Sequence, residues 1–241
     1  MNPVAADRLL EERVRALGPW FHDLDLRGVR TAPGHPLGDF LLDLWTQVEG
    51  AFPRDMTGAT VLDIGCNAGF YSLRLAERGA RVTGIEHDPR YLEQARFAAE
   101  VLGAEIDYRL MDVYEVERLG RQYDYVLFMG VFYHLRYPLY ALDRVARLVR
   151  RRMVFQSMLR GSAEPYEPAP DYPIGERAIF NDERFPAMYF LEHAYAGDFT
   201  NWWVPNRAAM EGMLRSAGLR IEAHPAPEVY YCAPAVDRRT T

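Results

Sequence analysis

Residues 61–70 read Val61-Leu62-Asp63-Ile64-Gly65-Cys66-Asn67-Ala68-Gly69-Phe70. The stretch runs from an apolar strand through a glycine-rich turn into the start of a helix. A ligand at such a junction lies beyond the carboxyl ends of the strands of an open sheet. Gly65 lets backbone approach a ligand closely, Asn67 tolerates a left-handed turn, and Gly69 permits tight entry into the helix. Working outward, Thr60–Ile64 is a short apolar strand and Phe70–Arg78 is helical. Arg81–Glu86 is a second strand. Asp88 and Pro89 then open a helix that stops at Gly103. Ile106–Leu110 and Tyr123–Met129 are strands, Pro138–Arg150 is a helix and Met153–Gln156 another strand. Apolar strands alternating with helices predict a doubly wound, parallel α/β sheet.

On either side of this core the pattern changes. Residues 1–58 carry a helix over Pro3–Leu17, a Pro/Gly loop that holds His35, and a second helix over Phe40–Ala51. They read as a helical and loop cap. Residues 59–156 form the core. Residues 157–204 break the rhythm: Glu164–Pro173 alone holds four prolines and three acids, which predicts a lid-like insertion. Residues 205–241 supply a last helix over Pro205–Ala217, strands over Leu219–Ala223 and Val229–Ala233, and a polar tail from Asp237.

Composition narrows the chemistry. The chain has 241 residues with 34 acidic and 28 basic side chains, for a formal charge of −6. Every basic residue is arginine. Without lysine there is no P-loop lysine, no Schiff base and no lysine general base. The negative charge argues against a dedicated nucleic-acid binder. Two cysteines, Cys66 and Cys232, suit a reducing cytoplasm better than a disulfide framework. No apolar run approaches the roughly 20 residues of a membrane span, and no secretory leader is expected. There is no HExxH or CxxC, so no metal site is expected.

Two acids extend the site. Glu86 ends the second strand, where an acid accepts hydrogen bonds from two ribose hydroxyls. Asp112, in Met111-Asp112-Val113 after the third strand, stands where an acceptor meets an adenine amino group. With the loop they outline a nucleoside site.

These motifs, VLDIGCNAGF, VTGIEHD and LMDVYEV, resemble those of the class I S-adenosylmethionine-dependent methyltransferases, over roughly residues 58–156. The resemblance implies a Rossmann-like sheet of seven strands, the last antiparallel, a place Val229–Ala233 can fill. It implies S-adenosylmethionine as cofactor, held by Asp63, Gly65, Cys66, Asn67, Gly69, Glu86, His87, Asp112, Val113, Met129 and Tyr133. The segment MGVFYHLRYPL, residues 129–139, resembles MGVLYHRRSPL of the bacterial tRNA wobble-uridine carboxymethyltransferases. LGPWF, TAPGHPLGDF and NWWVPN at 17–21, 31–40 and 201–206 are similar to those of a less characterised bacterial group of this type. The carboxylated cofactor of the tRNA enzymes is held partly by a lysine, so a lysine-free chain points to ordinary S-adenosylmethionine.

Methyl transfer to a hydroxyl needs an aligned acceptor and a base. Histidine titrates in the right range. His134, after the fourth strand, is the expected catalytic base, with His35 and His193 as further candidates. Arg136 can clamp an anionic acceptor, and Asn201, Trp202 and Trp203 can wall an acceptor pocket. The expectation is therefore a cytoplasmic enzyme that methylates a small molecule at oxygen. The alternative is a tRNA wobble-uridine modifier, for which Arg144, Arg147, Arg150, Arg151 and Arg152 would form one basic face of a helix end.

Overall fold

A computed structural model describes residues 3–235. The chain divides into two compact units, Met1–Leu127 and Phe128–Thr241.

The first unit opens with helix α1 (Pro3–Ala16), a two-residue hairpin of β1 (Asp25–Leu26) and β2 (Val29–Arg30), and helix α2 (Phe40–Val48). The hairpin turn uses two left-handed residues in succession, Arg27 and Gly28, the geometry that matches strand twist. Then β3 (Thr60–Ile64), α3 (Phe70–Glu77), β4 (Arg81–Glu86), α4 (Pro89–Leu102) and β5 (Asp107–Leu110) alternate. β3 and β4 pair in parallel, as do β4 and β5. Helix α4 has the predicted ends. The Asp88 carboxylate accepts from the Arg90 amide, Pro89 begins the helix, and Gly103 closes it left-handed. β6 (Tyr123–Met129) is buried along its whole length. Its Asp124 Oδ2 accepts from both the amide and the hydroxyl of Thr60, at 2.9 Å each. The residues before 58 are built into this unit. The Gln94 amide donates to the carbonyls of Leu17 and Pro19, and Arg78 reaches Glu49 and stacks over Trp45.

The second unit holds α5 (Pro138–Ala146), β7 (Val149–Gln156), the short pair β8 (Met188–Phe190) and β9 (Trp203–Pro205), α6 (Arg207–Ser216), β10 (Leu219–Ala226) and β11 (Val229–Pro234). β11 runs antiparallel to both β7 and β10. The strand order of the main sheet is β10-β11-β7-β6-β3-β4-β5. This is a doubly wound, Rossmann-like sheet of seven strands, and the last strand is antiparallel as expected.

Two boundaries are corrected: the last helix begins at Arg207 because Pro205 ends β9, and the helix before β7 is shorter than predicted. The helix predicted to reach Arg150 ends at Ala146, and the strand begins at Val149. Arg150, Arg151 and Arg152 therefore lie on a strand, where side chains alternate between faces, and do not share a helix face with Arg144 and Arg147. Arg152 pairs with Glu222 of β10 at 3.0 Å. The polar tail from Asp237 lies outside the described residues. Among the described residues no helix is long and apolar enough to cross a membrane, and no group of His, Cys, Asp and Glu is arranged to hold a metal ion.

Candidate functional site

The first unit gathers most of the residues expected to hold a cofactor. After β3 the loop turns through three left-handed residues, Gly65, Asn67 and Gly69. The amides of Gly65 and Cys66 donate to the Ile85 carbonyl at 2.9 and 3.0 Å, so the loop is anchored to β4. Asn67 adopts φ 49°, the conformation read from its side chain. A Cβ on Gly69 would stand 2.2 Å from the Tyr108 hydroxyl, so the glycine is needed for packing as well as for the turn.

Glu86 is buried at the end of β4, 4% exposed. Its Oε2 accepts from the Asn67 amide at 3.0 Å. Its Oε1 accepts from the amides of His87 and Asp88, and His87 Nδ1 lies 2.9 Å away. Burial pushes the carboxyl pKa up, but the hydrogen bonds from His87, Asp88 and Asn67 together outweigh it and hold Glu86 below its ordinary value. The acid is therefore an anion that also knots the glycine loop. His87 is exposed, and its pKa is raised by Glu86 first and by Asp112 among others, which places the Asp112 charge within reach of this group. Asp112 is exposed and accepts from the Tyr114 amide at 2.9 Å, capping a short 3-10 helix that starts at the buried Val113.

Asp63 is buried on β3, and its Oδ2 accepts from the Ser72 hydroxyl at 2.6 Å. Burial raises its pKa to about 6 against the opposing pull of Ser72. It joins strand to helix. Cys66 is buried, and desolvation first raises its thiol pKa well above the usual range, so it packs as a small apolar residue rather than as a nucleophile.

Sequence reasoning missed His22. It is buried, its Nδ1 accepts from the Phe70 amide at 3.3 Å at the head of α3, and burial lowers its pKa to about 3. A neutral ring that accepts at Nδ1 carries its proton on Nε2. His35 lies in the same neighbourhood. Its ring centroid is 5.1 Å from both Phe21 and Phe40, and its charge is felt at His22. No motif marks His22, which stands 48 residues before the amide it caps.

The second unit gathers the residues expected near an acceptor except His35, which lies in the first. β6 ends in buried Met129, and the Gly130 amide donates to Gln156 Oε1 at 2.9 Å. The turn that follows is tied to residues 198–203. The Trp202 amide donates to the Tyr133 carbonyl at 2.8 Å, and Trp203 Nε1 donates to the Arg136 carbonyl at 3.3 Å. The Arg136 guanidinium lies 4.5 Å from the Trp202 ring centroid and 5.5 Å from that of Phe190, a cation–π shelf. His134 Nδ1 is 2.8 Å from Thr200 Oγ1, which donates to Asp198 Oδ1 at 2.6 Å. Burial pushes the Tyr133 phenol up to about 12, with Glu228 and Asp198 adding to it, so it stays protonated at neutral pH. Buried Asn201 donates to the Tyr195 carbonyl at 2.9 Å and braces its own loop. His193 is exposed and makes no hydrogen bond among the described residues. Thr200 and Asp198 were not read from sequence. The Asp-Phe-Thr spacing, in which the carboxylate accepts from the amide and hydroxyl two residues on, is the one local sign of them.

Residues 61–152 match the family described as a methyltransferase domain. The chain is 38% identical over 125 residues to a ubiquinone biosynthesis O-methyltransferase of Ruegeria sp. (strain TM1040), covering 49% of this chain and 51% of that one. It is 37% identical over 137 residues to the protein of the same name from Methylocella silvestris, covering 54% and 51%. It thus spans about half the length of the curated relatives it matches. The crystal structure of the N-terminal domain of EvdMO1 with S-adenosylhomocysteine bound superposes with a TM-score of 0.64 at 23% identity, over 95% of this chain and 97% of that one. Residues 61–152 are therefore similar to a methyltransferase domain, and the chain shares its fold with the S-adenosylhomocysteine-bound domain of EvdMO1.

Proposed function

We propose that the chain transfers a methyl group from S-adenosylmethionine to a hydroxyl oxygen of a small molecule. The observation that carries this reading is Glu86: an ionised carboxylate at the carboxyl end of β4, hydrogen-bonded to the amide of Asn67 in the glycine loop. Such an anion suits the two ribose hydroxyls of a nucleoside. The donor set fits the cofactor's remaining parts. Asp112 and Val113 would take the adenine edge. The Gly65–Gly69 loop would take the amino-acid end, where backbone approach matters most. Met129 and Tyr133 are assigned to the cofactor as well. When bound, S-adenosylmethionine supplies an electrophilic methyl group on a sulfonium.

The remaining residues handle the acceptor. His134 is assigned as the base that takes the hydroxyl proton. Tyr133, still protonated at neutral pH, is not a base. Arg136 on its aromatic shelf would orient an anionic group, with Trp202 and Trp203 beside it. Asn201 holds the loop. His35 and His193 are the weaker candidates for contact with the acceptor. Methylation at oxygen is favoured by the matching relatives, which are named as O-methyltransferases. The two free, buried cysteines suit a reducing compartment, and the cytoplasm is our assignment.

The second reading, a tRNA wobble-uridine modifier, rests on residues 129–139. Its basic face is weakened by the strand placement of Arg150–Arg152. Isothermal titration with S-adenosylhomocysteine tests the cofactor assignment, and incubation of labelled S-adenosylmethionine with a panel of phenols and hydroxy acids tests the acceptor class. Micromolar S-adenosylhomocysteine binding and label transfer to oxygen are expected. No detectable binding at millimolar ligand overturns the reading. Transfer to tRNA and to no small molecule replaces it with the second.

A further inference from the structure

We propose that Thr200 and Asp198 form a relay that holds His134 in one tautomer, with the proton on Nδ1 and the basic lone pair on Nε2. A threonine hydroxyl has a single proton, and a carboxylate only accepts. Thr200 Oγ1 stands 2.6 Å from Asp198 Oδ1 and 2.8 Å from His134 Nδ1. If the hydroxyl proton pointed to His134, two oxygens bearing lone pairs would face each other at 2.6 Å, one of them charged. With the hydroxyl proton pointing to Asp198, both contacts of Thr200 Oγ1 are hydrogen bonds: His134 Nδ1–H donates to Thr200, and Thr200 donates to the carboxylate.

The carboxylate is itself held in place. Asp198 Oδ1 accepts from the Thr200 amide at 2.7 Å, and its backbone forms a two-way bridge with Tyr195. Burial raises the Asp198 pKa, but its hydrogen bonds from Thr200 and the nearby His134 outweigh this and keep it below the ordinary value. Asp198 Oδ2 also stands 3.8 Å from His134 Nδ1, so an imidazolium formed at this ring has a counter-charge. The Tyr133 phenol ring also packs against the His134 ring, with ring centroids 4.3 Å apart, and Glu228 acts on that phenol.

The consequence for chemistry rests on the methyl-transfer reading. An acceptor hydroxyl gives its proton to Nε2 and its oxygen keeps the electron pair. The ring becomes an imidazolium, hydrogen-bonded through Thr200 to Asp198. Thr200 and Asp198 act through His134 and are positioning residues. The sequence points to a histidine base; the structure adds what aims it.

The test reads the tautomer directly, on the full chain without cofactor. Protein labelled with 15N-histidine at about pH 8, above the ordinary imidazole range, gives a long-range 1H–15N spectrum in which His134→Gln identifies the His134 signals. Protonated Nδ1 and unprotonated Nε2 are expected in the wild type. Thr200→Val removes the acceptor without changing side-chain shape, and the ring should relax toward protonated Nε2. Thr200→Ser should restore the wild-type pattern. A wild-type ring protonated at Nε2 overturns the relay, and this arm needs no substitution at Thr200. A tautomer unmoved by Thr200→Val overturns it equally. S-adenosylhomocysteine titration of the same samples separates the two ideas: lost binding in the wild type refutes the methyl-transfer reading and leaves the tautomer result standing.

Discussion

At the scale of single residues, two buried titratable groups in the first unit pull stability in opposite directions. His22 titrates near 6.5 in an unfolded chain and near 3 in the fold, because burial disfavours its charged form. Its contribution is fully present above pH 6.5 and is lost as pH falls toward 3. Asp63 is the reverse. Burial raises it from 3.8 to about 6, so its ionisation destabilises the fold above pH 6 and this is relieved as pH falls toward 3.8. Each group changes stability by roughly 1.4 kcal/mol per pH unit inside its window, and between pH 6 and 4 the two nearly cancel. His22→Asn keeps an acceptor for the Phe70 amide but no longer titrates. Denaturant midpoints at pH 7.5, 6, 5 and 4 should then show the variant gaining stability as the solution is acidified from 6 to 4, where the wild type stays nearly flat from this pair. Parallel pH curves would show that His22 is not held neutral by burial. Ser72→Ala tests the other partner. Removing the donor to a buried carboxylate should cost about 1.5–3 kcal/mol at pH 7.5, and less at pH 5, where Asp63 is mostly protonated in the fold.

At the scale of elements, the Gly69 turn joins loop, helix and sheet. Its φ of +86° and the 2.2 Å approach of an added Cβ to the Tyr108 hydroxyl act independently. Gly69→Ala should destabilise by about 2–4 kcal/mol, combining left-handed strain with overpacking. Tyr108→Phe in the same chain removes the atom that clashes and should recover the steric part, while the φ penalty remains. Thermal melts of the two single variants and the double variant separate these contributions; strict additivity would contradict the contact. What was legible at this scale follows from which forces are local. β3, β4 and β6 are apolar runs buried on both faces, and α4 carries its own caps at Asp88 and Gly103, so their sequence shows them. The end of α5 was misread. Leu142, Val145, Ala146 and Val149 keep a helical spacing, and arginine is a good helix former, but the strand that Val229–Cys232 pair with at Met153–Gln156 extends back to Val149. Non-local contacts likewise hid His22 and the Thr200–Asp198 pair, whose partners lie 48 and 66 residues away. Glu86 was found as an acid at a strand end, yet its hold on the Asn67 amide has no signature in sequence.

At the scale of the whole molecule, cofactor binding and fold stability are linked, because the groups proposed to hold the ligand are those that knit the first unit. A ligand that binds only the folded chain stabilises it by about 2.7 kcal/mol at a hundredfold excess over Kd. For a chain of 241 residues, each kcal/mol moves Tm by roughly 2–4 °C. Saturating S-adenosylhomocysteine should therefore raise Tm by about 5–10 °C. Glu86→Gln should reduce that shift sharply, since it removes the anion proposed for the ribose, and should also lower the Tm of the free protein, since the amides of Asn67, His87 and Asp88 share the same carboxylate. The two effects are separable by measuring Tm with and without ligand. The all-arginine composition gives the matching control. The net charge is −6, and Arg152, of the run once read as a helix face, is paired with Glu222. Unmodified tRNA at about 50 mM salt should then leave Tm unmoved, because binding by phosphate contacts would be strongest there. A tRNA shift that disappears at higher salt, with none from S-adenosylhomocysteine, would reverse the assignment of substrate class and leave the fold unchanged.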